Sequence, residues 1–556
     1  MKKILIFHAI LIFSLPAFAQ WSNDFENPLI IDECRTHIDP EVVFSDGCFT
    51  FTWAENTSNP STKRKISIFD YKGFNINYNN NPFSTDDFQV INNSVSWRNF
   101  WPAVTSGSFL TQLMRKRNTN KYYVTVLRID KNGNTLWSIQ DDLFRQNCSV
   151  KYFSLCVNEN DEAFLSVQWD NRIENKIDLS IYKISSSGVV DWSYKKLFFE
   201  DSTVGLDRDI NIIPSNEGGC YVSYTYINQE ATESGFNFID SYAVIYKFNN
   251  EGDLEWDDKY LLDYKQWGMS GLKVIKDEVD NLYCIWNGDM NRIQKVHPDG
   301  YPLWQEEGIP IMQRYGLREP ILFDIGTDGN IRVVYASFQD RREQVYGQSV
   351  SPEGQLLWGS RGQEMVDNPY SMWGGNFKLG LCNDTILAAY KDVCDSDSNL
   401  YQTEYQMFDA YGNEVLDEPI KVDDHQGMSN YLLGVTTGVD GQFLVSWCSY
   451  NNSSSLLEAQ SITTDGSPGI KTSINIQYLS EDKSFMGYNQ ISRELLFSPG
   501  VKEFQFHLTS MSGQVIKSGI IKDRIGVPDI SPGIYVLSIF RNNYLIHSHK
   551  LLINSL

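Results

Sequence analysis

The stretch Thr125 to Trp137, TVLRIDKNGNTLW, writes a strand, a tight turn and a returning strand in thirteen residues, and the same design recurs along the chain. Val126, Leu127 and Ile129 favour strand, Asn132-Gly133 is a strong hairpin signal, and Leu136-Trp137 opens the return. Copies end at Trp192, Trp256, Trp304 and Trp358. In all five the tryptophan stands four residues after a turn glycine, which is Gly133, Gly188, Gly252, Gly300 or Gly354. Weaker copies lacking tryptophan end at Gly73, Leu416 and Ile470. From Gly73 to Gly466 a turn glycine returns about every 56 residues, which is the signature of a repeat array.

Ahead of each hairpin lies a second signal, a polar turn followed by an alternating strand that ends in an aromatic or small polar residue. Examples are SDGCFTFTW (45–53), NENDEAFLSVQW (158–169), KDEVDNLYCIW (276–286) and GVDGQFLVSWCSY (438–450). A third apolar run precedes these, as in LKVI (272–275) and FKLGL (377–381). Each unit therefore reads as four antiparallel strands. Sheets this small cannot bury both faces alone, so they must stack, and stacking them radially leaves only short edges. The expected fold is all-β: an eight-bladed (alternatively seven-bladed) β-propeller over 20–472, then a small C-terminal β-sandwich over 473–556.

The chain has 70 acidic against 47 basic residues, a formal charge of −23, which disfavours phosphate backbones and anionic membranes as partners. Nucleic acid is not an expected partner. Lys2-Lys3, the apolar run Ile4 to Leu15, Pro16 and the small-residue site Ala17-Phe18-Ala19 before Gln20 read as a signal peptide over 1–19. No later apolar run is long enough to span a membrane. The nine cysteines do not make a disulfide scaffold, although export would permit oxidation of the close pairs Cys34/Cys48, Cys148/Cys156 and Cys382/Cys394. Cys220, Cys284 and Cys448 sit in apolar strand patterns and read as core residues.

The hairpins at Trp137, Trp192, Trp256, Trp304 and Trp358 resemble the tryptophan-docking repeat of quinoprotein-like eight-bladed propellers. That resemblance implies tryptophans packed between neighbouring blades. The chain departs from the family where Leu416 and Ile470 replace tryptophan and where Asp130 stands one position closer to its glycine. It also lacks the family's adjacent cysteine pair, so redox chemistry is not implied and no cofactor is expected. Sialidase Asp-boxes place their aromatic three residues after the glycine; with four here, the aspartates read as turn-formers.

After about Lys471 the repeat stops. Strand candidates follow at ELLFS (494–498), EFQFHLTS (503–510), QVIKSGII (514–521), IYVLSIF (534–540) and YLIHSHKLLI (544–553). FHLTSMSGQVIKSG with Gly513, DISPGIYVLSIF with Gly533 and Tyr535, and Lys550 before an apolar tail resemble the type A C-terminal sorting domain of the Bacteroidetes type IX (Por) secretion system. The resemblance implies Sec export, recognition by an outer-membrane translocon and its sortase, and a secreted or surface-attached product.

HExxH, GxSxG, Walker and GxGxxG patterns are absent from the sequence, as are CxxC and paired-histidine spacings, so no catalytic or metal-binding residue is assigned. His37 and His425 are the histidines of the repeat region outside its hairpins. Trp101, Trp267, Tyr315 and Trp373 fall where one unit hands over to the next, and are candidates for a stacking face toward sugars or peptides; the alternative is that they plug the channel. The expected function is a binding or adhesion module for glycan or protein. The alternative is a secreted polysaccharide- or protein-degrading enzyme with acids converging on one propeller face, and a third reading is a purely structural surface component.

Overall fold

The computed structural model describes strands and their adjoining turns between residues 29 and 553; residues 1–28, 56–62, 80–87, 91–99, 140–147, 369–376, 470–484 and 554–556, with shorter connectors, lie outside the described residues. The chain divides into two compact units, Met1–Ile470 and Lys471–Leu556. Among the described residues the first contains eight antiparallel sheets.

Sheet 1 runs His37–Ser45, Cys48–Glu55, Lys63–Asp70 and Asn75–Asn79. Sheet 2 pairs both Phe88–Val90 and Phe100–Pro102 with Ser108–Lys116, then adds Tyr122–Ile129 and Thr135–Ile139. Sheet 3 is Cys148–Val157, Ala163–Asn171, Lys176–Ile184 and Val190–Phe198. In sheet 4, Val204–Leu206 and Asn211–Pro214 share Cys220–Thr232, followed by Gly235–Phe248 and Tyr260–Lys265. Sheet 5 comprises Ser270–Lys276, Leu282–Asn287, Asn291–Val296 and Ile309–Pro310. Sheet 6 comprises Leu317–Ile325, Ile331–Gln339, Arg342–Val350 and Gln363–Asn368. Phe377–Cys382, Thr385–Asp395, Leu400–Phe408 and Ile420–Lys421 make sheet 7. Sheet 8 takes Ser429–Thr437, Gln442–Tyr450 and Ser455–Thr463 from one end of the repeat region and Leu29–Cys34 from the other.

Alternation along each strand gives every sheet two apolar faces, and each face is covered by the next sheet. Cys156, Phe164 and Ile181 of sheet 3 pack with Val222 and Phe248 of sheet 4. Tyr283 and Ile285 of sheet 5 pack with Val333 and Tyr335 of sheet 6. Among the described residues, the last such core joins Leu444, Leu457 and Ala459 of sheet 8, with Ile31 of its outer strand, to Phe49, Phe51 and Trp53 of sheet 1. The innermost strands adjoin one another in the same order, and that of sheet 8 adjoins that of sheet 1. There Thr436 Oγ1 donates to the Val42 carbonyl at 3.1 Å. The unit is a β-propeller, held shut both by packing and by the pairing of Leu29–Cys34 with Ser455–Thr463.

The tryptophans of four second strands are core. Trp53, Trp169, Trp286 and Trp447 are among the largest fully buried side chains. Cys220 and Cys284 are fully buried, and burial pushes their thiols up, which makes them inert. Cys148 and Cys156 lie eight residues apart along one strand, about 26 Å, far beyond disulfide reach. Cys382 and Cys394 are separated in the same way, one at a tight turn and the other near the far end of Thr385–Asp395. Neither of these two pairs can therefore be bridged, and the side chain of Cys34, in the third pair with Cys48, lies outside the described residues.

Among the described residues the second unit has two sheets, Phe485–Asn489 / Glu494–Phe497 / Arg524–Gly526 and Val515–Ile520 / Gln505–Ser510 / Gly533–Arg541 / Tyr544–Ile553. Leu495, Phe506, Leu508, Ile525, Tyr535, Leu537 and Ile539 are buried. Gly533 opens a central strand opposite Ile553, and Lys550 pairs with Val536. Gly513 lies outside the described residues. Phe485–Asn489 and Arg524–Gly526 are strands that the sequence pattern did not single out.

The turn glycines carry a double demand. Gly252 has φ +89°, and a Cβ built there would stand 2.6 Å from Trp192 Cδ2. Gly359 has φ +77° with open space around it. Gly359→Ala should cost about 1–2 kcal/mol from the left-handed backbone alone. Gly252→Ala should cost more, because the indole must also move; equilibrium denaturation of the two variants measures the difference.

Candidate functional site: the two ends of the ring

In a four-stranded meander the first and third turns lie at one end and the second connector and the handover to the next sheet lie at the other. At the first end the turns are stitched together. Each described third turn closes alike: the first residue's N–H donates to the fifth residue's carbonyl and the glycine N–H donates back to the first carbonyl, as in Asp130–Asn134 (2.9 and 3.0 Å). The first residue also caps the turn with its side chain. Asp130 accepts from Asn134 N at 2.8 Å, and Asn249 and Asp409 accept from two backbone N–H groups each. His297 plays the same part, accepting from Asp299 N through Nδ1 and stacking on Tyr301 with centroids 4.4 Å apart.

The repeat tryptophans carry the stitching outward. Trp137 Nε1 donates to the Ser186 carbonyl at 2.8 Å, in the turn of the next sheet, and its ring covers Gly188. Trp192 reaches the Asn250 carbonyl at 2.8 Å, Trp256 the Pro298 carbonyl at 3.0 Å, and Trp304 the Pro352 carbonyl at 3.2 Å. Trp358 lies against Gly412, and Gly300 and Gly354 against Trp256 and Trp304. Where Leu416 takes the tryptophan's place over Gly466, Tyr405 Oη of the third strand donates to the Gly466 carbonyl at 2.7 Å instead.

Two further layers of this end were not singled out from the sequence. Cross-strand pairs place a cation against an aromatic in four successive sheets: Arg128 with Phe109, Lys183 with Phe164, Lys247 with Tyr221 and Lys295 with Tyr283. Each cation sits 4.7–5.8 Å from its ring centroid. The signal was in the letters, an Arg or Lys two residues before each turn. The second layer is a set of aspartates at left-handed positions usually held by glycine: Asp161 (φ 57°), Asp280 (φ 67°) and Asp384 (φ 61°). Each reaches the preceding sheet. Asp161 pairs with Arg128 at 2.9 Å, Asp280 accepts from Asn216 N at 2.8 Å, and Asp384 accepts from Thr327 N at 2.7 Å. Backbone strain is spent here on joining sheets.

The other end carries the handover segments. Trp267, Tyr315, Trp373 and His425 fall in them and lie outside the described residues, as do Ala17, Ala19 and Gln20. Trp101, read as a handover residue, stands instead in an inner strand opposite Phe109. His37 opens the inner strand of sheet 1. On the innermost strands, Lys151 of sheet 3 and Tyr431 of sheet 8 are exposed. No group of His, Cys, Asp or Glu able to hold a metal occurs among the described residues. No described helix could cross a membrane.

No protein-family model matches the chain, and no curated protein does. Among solved structures the chain is similar to a puromycin hydrolase mutant complexed with PGG (TM-score 0.42, 10% identity), covering 78% of this chain and 61% of that one. It is also similar to the β-propeller domain of the Trilobed protease from Pyrococcus furiosus (0.36, 10%, covering 70% and 96%). A third is PorZ, a surface component of the type IX secretion system of Porphyromonas gingivalis (0.34, 8%, covering 93% and 70%). The chain thus spans about three-fifths of the hydrolase it resembles in fold.

Burial works to raise the carboxyls of Asp328 and Asp409, but hydrogen bonds outweigh it and hold both below their ordinary value: from Arg332 and Asn330 to Asp328, and from Asn413, Tyr411 and Gly412 to Asp409. A carboxyl lowered in the folded state contributes stability above its unfolded value, near 4, and loses it as pH falls through the folded value. Thermal stability should therefore drop below about pH 4. Asp409→Asn keeps a cap of the kind Asn249 provides, and should flatten that acid limb in melts taken from pH 6 to 2.

Proposed function

We propose that this chain is an exported, surface-displayed or secreted binding protein whose propeller takes a glycan or protein ligand at the end opposite the stitched turns. The observation that carries this reading is the use of one end of the ring for contacts between sheets: there tryptophan, cation and aspartate contacts join described turns to their neighbours. The other holds the handover segments, where the aromatics Trp267, Tyr315 and Trp373 occur in register with the repeat. Loops on a rigid scaffold are where recognition residues concentrate.

The address is a separate part of the proposal. Lys2-Lys3, the apolar run Ile4 to Leu15 and Ala17-Phe18-Ala19 support Sec export. The two-sheet C-terminal unit, with Gly533 and buried Tyr535 on a central strand, supports recognition by a type IX translocon and its sortase. Deleting 473–556 should leave the propeller folded and trap it in the periplasm of a type IX-competent host, as read by fractionation and surface proteolysis. Surface display of the truncated chain would overturn the address. On a glycan array the mature chain should bind without releasing product, and Trp267→Ala or Trp373→Ala should weaken binding about tenfold, the worth of one stacked aromatic. Unchanged binding by both variants would overturn the placement of the ligand.

A further inference from the structure

Among the described residues four aromatic side chains are exposed: Tyr301, Tyr411, Tyr431 and Tyr450. Tyr301 and Tyr411 belong to third turns at the stitched end, and Tyr301 is taken up by its stack on His297. Tyr431 and Tyr450 stand together at the other end, in sheet 8.

The strand register places them. Ser429 pairs with Tyr450, Asn430 with Ser449 and Tyr431 with Cys448. Paired residues share a face and alternate residues return to it, so Tyr431 and Tyr450 lie on the face of Cys448 as diagonal neighbours on adjacent strands. The next pair, Leu432 with Trp447, belongs to the core shared with sheet 7, whereas Cys448 belongs to the core shared with sheet 1. The two tyrosines are therefore on the side of sheet 1, at the handover end of the joint that closes the ring. Cys448 is buried there, yet Tyr431 is 59% and Tyr450 42% exposed.

Sheet 3 shows that side chains at these two positions meet. Ser149 pairs with Asp170 as Ser429 does with Tyr450, and Lys151 stands two residues on, at the bulge after Val150. Lys151 Nζ lies 3.6 Å from Asp170 Oδ2, so in sheet 3 the two side chains satisfy each other. In sheet 8 neither tyrosine has a hydrogen bond or a ring contact among the described residues. Diagonal positions on neighbouring strands are about 7–8 Å apart, while atoms in van der Waals contact are about 3.5–4 Å apart. That spacing is too wide for the two phenol rings to stack on each other and suits one further ring between them.

A ring gripped from both sides has to be apolar on both. A β-glucopyranose or xylopyranose unit carries its hydroxyls around the equator and shows C–H groups on each face, whereas a galacto or manno unit has an axial hydroxyl that spoils one face. The tyrosine hydroxyls are left at the tips of the rings to bond those equatorial groups. A formal charge of −23 on the chain disfavours a polyanionic sugar. We infer that Tyr431 and Tyr450 form a slot that clasps one ring of a neutral gluco- or xylo-configured polysaccharide. This rests on the binding-protein reading and names a subsite and a ligand class for it.

The test uses the full mature chain, titrated calorimetrically with cellohexaose, xylohexaose and mannohexaose. Cellohexaose or xylohexaose should bind, and mannohexaose should bind about tenfold more weakly. Tyr431→Ala and Tyr450→Ala should each weaken binding about tenfold, whereas Tyr431→Phe and Tyr450→Phe, which keep the ring, should retain most of it. Both side chains are exposed, so all four variants should melt with the parent. Nitration of Tyr431 and Tyr450 by tetranitromethane, followed by mass spectrometry, should be suppressed by the bound hexaose, and that of Tyr411 should not. Hexaose binding that both alanine variants leave unchanged, or that only Trp267→Ala or Trp373→Ala weakens, overturns the slot and leaves the binding-protein reading standing. Mannohexaose binding as tightly as cellohexaose overturns the ligand class, as does protection of both tyrosines by a proline-rich peptide and by no hexaose. If no hexaose binds while other glycans on the array do, the slot fails and the reading survives; an array on which nothing binds is what would sink the reading itself.

Discussion

Everything in the first unit follows from the fact that a four-stranded sheet of this length has two apolar faces and cannot cover either one. Phe164 and Ile181 on one side of sheet 3 and Phe153 and Leu165 on the other are dry only because sheets 4 and 2 lie against them. Each sheet is thus both core and lid for its neighbours. An open stack would leave two wet faces at its ends. Bringing sheet 8 onto sheet 1, where Phe49 and Trp53 meet Leu444 and Leu457, removes both at once.

Packing alone would let neighbouring sheets slide, since apolar contact has little directional preference. The stitched end fixes their register. An indole N–H aimed at one carbonyl of the next turn is directional, and it works only if the turn glycine leaves room for the ring. This explains why glycine and tryptophan recur together at a fixed distance: the glycine of one sheet serves the tryptophan of the sheet before. At the last of these joints the tyrosine hydroxyl of Tyr405 does the work of the missing indole, so the contact persists although the letter changes.

The parts that were legible in the sequence are those with a period. The glycine-tryptophan spacing located the third turns, the alternating runs located the second strands, and the break near Lys471 marked a different kind of sheet. What escaped were features whose partners lie in another repeat. Nothing local distinguishes Asp280 from an ordinary polar turn residue; its left-handed backbone and its reach to Asn216 exist only once sheets 4 and 5 are side by side. The alternation of Lys183 with Phe164 is visible only after the register of sheet 3 is known. Trp101 was misplaced because its short strand carries no alternation of its own.

The outer row of sheet 8 is made from two distant pieces of chain. Pro468 bridges Ile462, Gly469 N donates to the Ser461 carbonyl, and Leu29 then takes over opposite Ala459. A polypeptide synthesised from its amino end holds Leu29–Cys34 ready long before Ser455–Thr463 exists to receive it. Every earlier sheet can assemble on its predecessor as it emerges, whereas this final seam waits for nearly the whole repeat region. Its formation joins the most widely separated strands among the described residues, and so carries the greatest loop-closure cost of their pairings. Until that seam forms, Phe49 and Phe51 on one side and Leu444 and Leu457 on the other lack the cover that the closed ring gives them.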